Sequence, residues 1–169
     1  MRRRLDALYD AAGVLAALFL AGTLGMVLTG IAGRLLHFHV PGTDSYAGYC
    51  MAASGFLALA HTLKRGEHIR VTLVLEHLGP KAKSVLERAA LVVAMLLAAL
   101  FAYYSVRLSF QSWQFNDIST GNDATPLWIP QLAMAAGTIV LLIAFVDELV
   151  LEWTGRRARA ISGEGLHHE

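Results

Sequence analysis

Four long apolar stretches determine what this chain of 169 residues can fold into. They cover approximately residues 11–36, 45–63, 89–110 and 127–150, and their central parts carry no charged side chain. About 20 predominantly apolar residues are enough for a helix to cross the roughly 30 Å hydrocarbon core of a bilayer. The stretches therefore predict an all-α membrane protein with four transmembrane helices, built as a single integral membrane domain over residues 1–169.

The composition agrees with a membrane protein, since 56% of the residues are hydrophobic and only 16% are charged. Soluble domains typically have about 25% charged residues. The first apolar stretch follows a basic N-terminus, as in a signal peptide, but it is longer than the roughly 7–15 residues of a signal-peptide core. We therefore expect it to be retained as the first helix.

The distribution of positive charge predicts the orientation of the chain. Of its 14 lysines and arginines, 12 lie before the first stretch, between the second and third, or after the fourth. With four crossings these three regions lie on one side of the membrane, which the positive-inside rule assigns to the cytoplasm. We therefore expect cytoplasmic N- and C-termini and a multi-pass protein of the inner membrane.

Two of the stretches carry small residues at a spacing of four, which places them along one face of a helix. Such faces let a second helix approach closely in lipid. Two interpretations remain open, which are packing within the chain and docking of a second membrane protein. The first stretch contributes Gly13, Ala17, Ala21, Gly25, Thr29 and Gly33, and the third contributes Ala90, Ala94, Ala98 and Ala102.

The connection between the second and third stretches is too polar to span and too apolar for an ordinary loop. Within residues 66–84 we predict a short amphipathic helix, at about residues 72–78, that lies in the membrane interface near anionic lipid headgroups. The residues at and before its start form a candidate structural or interface motif, which consists of Arg65, Gly66, His68, Arg70 and Thr72.

The loop between the third and fourth stretches is polar and has no cation. Its amide and carboxylate side chains are candidates for docking a periplasmic partner: Asn116, Asp117, Asn122 and Asp123. The loop leads into Thr125 and Pro126, which we predict to be the N-cap and the first residue of the last helix, since both residue types are favoured at those positions.

Two other classes of protein remain as alternatives. A small membrane redox protein would hold haem between histidines on facing helices, but of seven histidines only His61 lies inside a stretch. A stand-alone four-helix exporter would carry an ionisable residue within the membrane, whereas Asp44, Asp147 and Glu148 lie near the ends of stretches. No catalytic or metal-binding motif is found. We therefore expect no enzymatic activity, no cofactor or metal, and no nucleic-acid partner.

Three features of the chain resemble the small membrane subunit, of the DctQ type, of tripartite ATP-independent periplasmic (TRAP) transporters. The first is the arrangement of four helices in about 170 residues with both termini inside. The second is the run from Arg65 to Leu73, which is similar to the family's basic-Gly-x-His-Ile-x-Val-Asp-Leu stretch, with Thr72 where the family often has Asp. The third is the run from Thr125 to Pro130, which is similar to the family's polar-x-x-Ile-Pro sequence before the last helix.

The resemblance implies a small permease subunit of a secondary-active importer of organic acids in a bacterial inner membrane. In such a system a periplasmic binding protein captures the substrate, and a large membrane subunit transports it with an ion gradient, typically of sodium. The resemblance implies that the small subunit scaffolds the large one and helps the binding protein to dock. Sodium coupling is expected in the large subunit, so no ion site is expected in this chain.

Overall fold

The structure is a computed structural model that describes residues 2–38, 40–64 and 80–154. Most of these residues lie in four helices, which we number in chain order: α1 (Arg2–Leu35), α2 (Thr43–Lys64), α3 (Pro80–Gln114) and α4 (Trp128–Trp153). The predicted all-α architecture is confirmed. The amphipathic helix predicted at about residues 72–78 lies outside the described residues, as does its motif, Arg65, Gly66, His68, Arg70 and Thr72.

The helices begin and end differently from the apolar stretches that predicted them. Helix α1 begins at Arg2, and α3 extends from Pro80 to Gln114. Residues 80–84, which the sequence assigned to the interfacial segment, therefore belong to α3. The physical reason is that helical hydrogen bonding continues beyond the apolar part, where long polar side chains reach water. A proline at the first helical position is also favourable, because its missing N–H would have no partner there.

Three described helices are long and apolar enough to cross a membrane, through the segments Leu5–Leu35, Ser84–Gln114 and Trp128–Trp153. Helix α2 is not one of these three. It begins with Thr43, Asp44 and Ser45 and ends with a histidine and a lysine in its last turn. Length and hydropathy therefore support three of the four predicted spans.

The helices pack as a row in the order α1, α2, α4, α3. Helix α2 packs extensively against α1 on one side and α4 on the other, and α4 packs against α3. Within the described residues no extensive packing joins α1 to α3. The two outer helices therefore keep exposed apolar faces, as shown by Leu18 of α1 at 63% exposure and Leu97 of α3 at 62%.

Glycine allows α2 and α4 to touch through their backbones at the centre of the row. A Cβ atom on Gly137 of α4 would lie 2.6 Å from the carbonyl oxygen of Phe56 in α2. The Phe56 ring also meets Phe101 of α3 edge-on, with ring centroids 5.8 Å apart. These contacts place α2 in the middle of the structure, although it is not one of the three helices that length and hydropathy assign to the membrane.

Candidate functional site

The two ends of the helix row carry the polar side chains that the structure brings together. We call one end of the row the charged end. It contains the starts of α1 and α3, the ends of α2 and α4, and the ion pairs described below. We call the other the loop end; it contains the turns at residues 36–42 and 115–127. Because the four helices alternate in direction, residues that are far apart in sequence meet at each end.

At the charged end, α1 and α2 are joined by two pairs of ionisable groups. Lys64 forms a salt bridge with Asp6, and its Nζ also lies 4.8 Å from the centroid of the Tyr9 ring. One turn further along, His61 Nδ1 lies 3.7 Å from Asp10 Oδ1, a contact that becomes an ion pair when His61 is protonated. These contacts fix the start of α1 against the end of α2.

A third pair links the other two helices at the same end. Arg88 Nε of α3 lies 3.8 Å from Glu152 Oε1 of α4. The carboxylate is much less exposed than the guanidinium, so this pair lies partly within the α3–α4 contact. The charged end is therefore held together by opposite charges contributed by all four helices.

At the loop end, residues 115–127 fold back on themselves before α4 begins. Ile118 and Pro126 form an isolated antiparallel bridge. The backbone N–H of Ser119 donates to the carbonyl of Thr125 at 2.9 Å, and the N–H of Leu127 donates to the carbonyl of Asp117 at 3.0 Å. Asn116 and Ala124 adopt positive φ angles of 53° and 47°, which lets the chain reverse direction within a short loop.

Asp123 is the centre of the polar contacts in this loop. The Tyr49 hydroxyl of α2 donates to its Oδ2 at 3.0 Å, and the Ser119 hydroxyl donates to its Oδ1 at 2.9 Å. Hydrogen bonds from Thr125 foremost, then from Ser119 and Tyr49, hold the pKa of Asp123 well below its usual range because they favour the ionised carboxylate. An acidic side chain in this environment stays charged at neutral pH.

Two tyrosines of α2 tie this loop to the helix row. A hydrogen bond 3.3 Å long joins the hydroxyls of Tyr46 and Thr125. The rings of Tyr46 and Tyr49 meet edge-on, with centroids 6.1 Å apart. The predicted N-cap role of Thr125 is wrong, because α4 begins at Trp128 with Leu127 at the N-cap position and no side-chain cap. Thr125 instead binds α2, and Pro126 forms the bridge to Ile118.

The four candidate docking residues of the loop differ in their exposure. Asn116, Asp117 and Asn122 are exposed, whereas Asp123 is half-buried and engaged in the hydrogen bonds described above. Three of the four are therefore available to a partner, and Asp123 shapes the loop that presents them. Their docking role stays a prediction.

The small-residue ladder of α1 faces away from the rest of the described chain over most of its length. Ala17, Ala21, Gly25 and Thr29 are exposed, and a Cβ atom on Gly25 would meet no described residue within 4 Å. At the two ends of the ladder, Gly13 lies against His61 and Gly33 lies under Phe38. Packing within the described residues therefore does not account for the four central members, and docking of a second protein stays a prediction for them.

The ladder of α3 is divided between exposed and buried positions. Ala98 and Ala102 are buried, Ala94 is half-buried and Ala90 is exposed. A polar continuation of this face towards the loop end was not predicted from the sequence. That continuation consists of the buried hydroxyls of Ser105, Ser109 and Ser112 on α3, and buried Thr138 lies on α4. The signal was present in the serine spacing of four and then three, which puts them on one helix face.

Every described helix is long, lies in an open row and exposes apolar side chains, which defines the class as an integral membrane protein. The family model described as "Tripartite ATP-independent periplasmic transporters, DctQ component" matches residues 23–155. This is well over half of the chain, and the chain belongs to that family. No curated protein matches the chain.

Family membership confirms the resemblance noted in the sequence. Members of the DctQ component family are small membrane subunits of TRAP transporters, and they work with a large membrane subunit and a substrate-binding protein. The family is one of transporter components rather than enzymes. This favours the transporter subunit over the redox protein and the exporter, and the apolar helices fit a protein of the inner membrane.

Proposed function

We propose that this protein is the small membrane subunit of an ion-gradient-driven, binding-protein-dependent importer of organic acids. In this proposal it scaffolds the large membrane subunit and helps the periplasmic binding protein to dock. The observation that carries the proposal is the family match over residues 23–155. The described helices also have their carboxylates towards the ends rather than at the centre, as suits a subunit that does not itself carry an ion through the membrane.

The proposal includes a membrane crossing by α2, although α2 is not among the three helices that length and hydropathy assign to the membrane. Its 22 residues correspond to about 33 Å at a rise of 1.5 Å per residue. Its start contacts the loop before α4, and its end contacts the start of α1. Since α2 reaches from one end of the row to the other, a bilayer that surrounds its neighbours also surrounds α2.

The proposed orientation puts the charged end in the cytoplasm and the loop end in the periplasm, in agreement with the positive-inside rule. A labelling experiment tests it. Cys50, the single cysteine, is replaced by alanine, and a new cysteine is introduced at exposed Asn122 or at exposed Ala82. A membrane-impermeant maleimide applied to spheroplasts should label the cysteine at 122 at once and the cysteine at 82 only after lysis. The reverse pattern, or equal labelling of both, contradicts the proposal.

The loop end is the proposed contact for the binding protein. Its exposed side chains Asn116, Asp117 and Asn122 lie on a loop whose shape is fixed by internal hydrogen bonds. Substitution of Asp117 and Asn122 by lysine should raise the concentration of binding protein needed for half-maximal uptake. The amount of assembled membrane complex is the control and should not change. An unaltered dependence on binding protein contradicts the docking role.

The subunit assignment as a whole is tested by purification and reconstitution. The tagged chain, extracted from its native membrane in a mild detergent, should bring down a large polytopic membrane protein in about equal amount. Proteoliposomes with both membrane subunits and the binding protein should take up an organic acid, and proteoliposomes with this chain alone should not. Uptake by this chain alone would overturn the proposal.

A further inference from the structure

The hydroxyl of Tyr9 is buried at the charged end without a hydrogen-bond partner among the described residues. The side chain is only 1% exposed, and it packs in a cluster with Ala60 of α2 and Ala144 of α4. A buried hydroxyl that loses its bond to water without gaining another destabilises the folded protein. A polar ligand that hydrogen-bonds to this hydroxyl would therefore stabilise the folded protein.

Two carboxylates follow the Tyr9 contact along α4. Asp147 and Glu148 lie three and four residues after Ala144, on the helix face that packs against Tyr9. Long side chains of a helix lean towards its N-terminus. Since α1 and α4 run in opposite directions, Tyr9 leans towards the charged end and the two carboxylates lean back towards Tyr9. Both carboxylates also act electrostatically on the Tyr9 hydroxyl.

The protein itself places a positively charged side chain beside Tyr9. Lys64 lies over the Tyr9 ring and forms a salt bridge with Asp6. Among the described residues no group of three or more histidine, cysteine, aspartate or glutamate side chains is placed to hold a metal ion. A water molecule fits the remaining chemistry, because it accepts one hydrogen bond from a phenol and donates two to carboxylates.

We propose that a buried water molecule accepts a hydrogen bond from the Tyr9 hydroxyl and donates hydrogen bonds to the carboxylates of Asp147 and Glu148. Helix α1 meets α4 much less than it meets α2. The water site therefore fixes the start of α1 to the end of α4 across the end of α2. It holds the first helix of the row in place at the charged end.

One substitution distinguishes a Tyr9 hydroxyl that is bonded to water from one that has no partner, because the two cases predict different changes in the melting temperature. Tyr9→Phe keeps the ring, its packing and its contact with Lys64, and removes only the hydroxyl. If water bridges the hydroxyl, the melting temperature of the purified full chain should fall by about 2–4 °C. Tyr104→Phe, on a side chain that is 53% exposed, is the control and should leave the melting temperature unchanged. Removal of an orphan hydroxyl is neutral or stabilising, so an unchanged or higher melting temperature for Tyr9→Phe overturns the proposal.

Two further measurements identify the partners and the ligand. In an Asp147→Ala or a Glu148→Ala background, Tyr9→Phe should lower the melting temperature by less than it does in the unaltered chain. An equal decrease in all three backgrounds overturns the proposed partners. A density map that shows ordered water should contain a peak within about 3.2 Å of Tyr9 Oη. A map with the hydroxyl bonded directly to a carboxylate, and no such peak, overturns the water site even if Tyr9→Phe is destabilising.

Discussion

At the scale of single residues, Asp123 and Gly42 determine the shape of the loop end. The Asp123 carboxylate accepts hydrogen bonds from Tyr49 on α2 and from Ser119 in its own loop. Gly42 precedes α2 with φ at 79°, and a Cβ atom there would lie 2.7 Å from the Cβ of Asp123. The turn between α1 and α2 and the loop before α4 therefore touch through one carboxylate and one glycine.

Replacement of Asp123 by alanine should destabilise the protein, because it leaves the Tyr49 and Ser119 hydroxyls without their acceptor. We expect a decrease in melting temperature of about 2–4 °C, the shift that an ordinary stabilising contact produces in a chain of this length. Asn122→Ala is the matched control, since Asn122 is the exposed neighbour. Equal melting temperatures for the two variants would show that the carboxylate does not stabilise the loop.

The same carboxylate predicts a specific dependence on pH. Its pKa is lowered in the folded protein, whereas the ordinary value for aspartate is about 3.9. The stabilisation is therefore complete above the unfolded pKa and is lost as the pH falls through the folded pKa. The difference in melting temperature between the unaltered protein and Asp123→Asn should be constant from about pH 7 to pH 5 and shrink only in stronger acid. A difference that disappears between those two pH values contradicts this account.

Gly42 and Gly48 should respond to alanine in opposite directions. At Gly42 the left-handed backbone costs an alanine about 1–2 kcal/mol, and the new Cβ would also collide with Asp123. At Gly48, inside α2, a Cβ atom would meet nothing within 4 Å in the described part of the chain, and alanine in a helix is favoured over glycine by about 0.5–1 kcal/mol. Thermal unfolding of both variants in the same detergent checks the prediction, and a Gly42→Ala variant as stable as Gly48→Ala refutes it.

At the scale of helices, the row is held by small side chains at its centre and by polar ones near its ends. Helix α4 contacts α2 through Gly137, and the buried serines of α3 lie on the same face as Ala98 and Ala102. Small residues at such contacts let the helices approach closely enough for dispersion attraction, which drives helix association in lipid. The ion pairs at the charged end then set how the helices align along their axes.

Gly137→Ala should therefore separate α2 from α4. Its Cβ would lie 2.6 Å from both the carbonyl carbon and the carbonyl oxygen of Phe56, and a backbone cannot give way as the end of a side chain can. We expect a loss of about 1–3 kcal/mol in the free energy of unfolding, as is typical of overpacking. Gly55→Ala in α2 is the control, because its Cβ would lie more than 4 Å from every residue that the structure describes outside its own turn of helix. Equal stability of these two variants would show that the close approach is not needed.

At the scale of the whole molecule, an open row exposes far more apolar surface than a closed bundle of the same helices. The outer faces of α1 and α3 carry large apolar side chains that no described residue covers, such as Leu18 and Leu97. The exposed ladder of α1 interrupts such a face with small residues, which is the pattern of a helix-docking surface in a membrane. For a scaffolding subunit, we expect the large subunit to lie against this ladder.

Gly25→Leu tests that expectation without disturbing the chain itself. Among the described residues none lies within 4 Å of a Cβ added at Gly25, so the melting temperature of the isolated subunit should change little. Recovery of the large subunit in a mild-detergent pull-down should fall several-fold, and Gly25→Ala should have a smaller effect because it adds a single carbon. Ala136→Leu, at an exposed position of α4, is the matched control. Full recovery with Gly25→Leu would exclude this face from the interface.

The existence of the helices was easier to predict than their ends or their neighbours. The apolar stretch at 89–110 identified α3, but the helix extends to Pro80 and Gln114. Hydropathy identifies only the apolar part of a helix, and helical hydrogen bonding continues beyond that part. Thr125 and Pro126 have the residue types of a helix start. Their contacts with Tyr46 and Ile118 outweigh that local preference. No local sequence pattern predicts these contacts.

The sequence by itself determined the solvent, the helical class and the family of this protein. Long apolar stretches have few stable structures other than helices in a bilayer, and the motif around Arg65–Leu73 resembles one family of transporter subunits. The tertiary structure decided which residues meet: the order α1, α2, α4, α3, the isolation of the α1 ladder, the position of Asp123 and the burial of Tyr9. These are contacts between residues far apart in the chain. In lipid, many faces of an apolar helix are equally hydrophobic. Only the fit of side chains against a particular neighbouring helix therefore determines which face is packed.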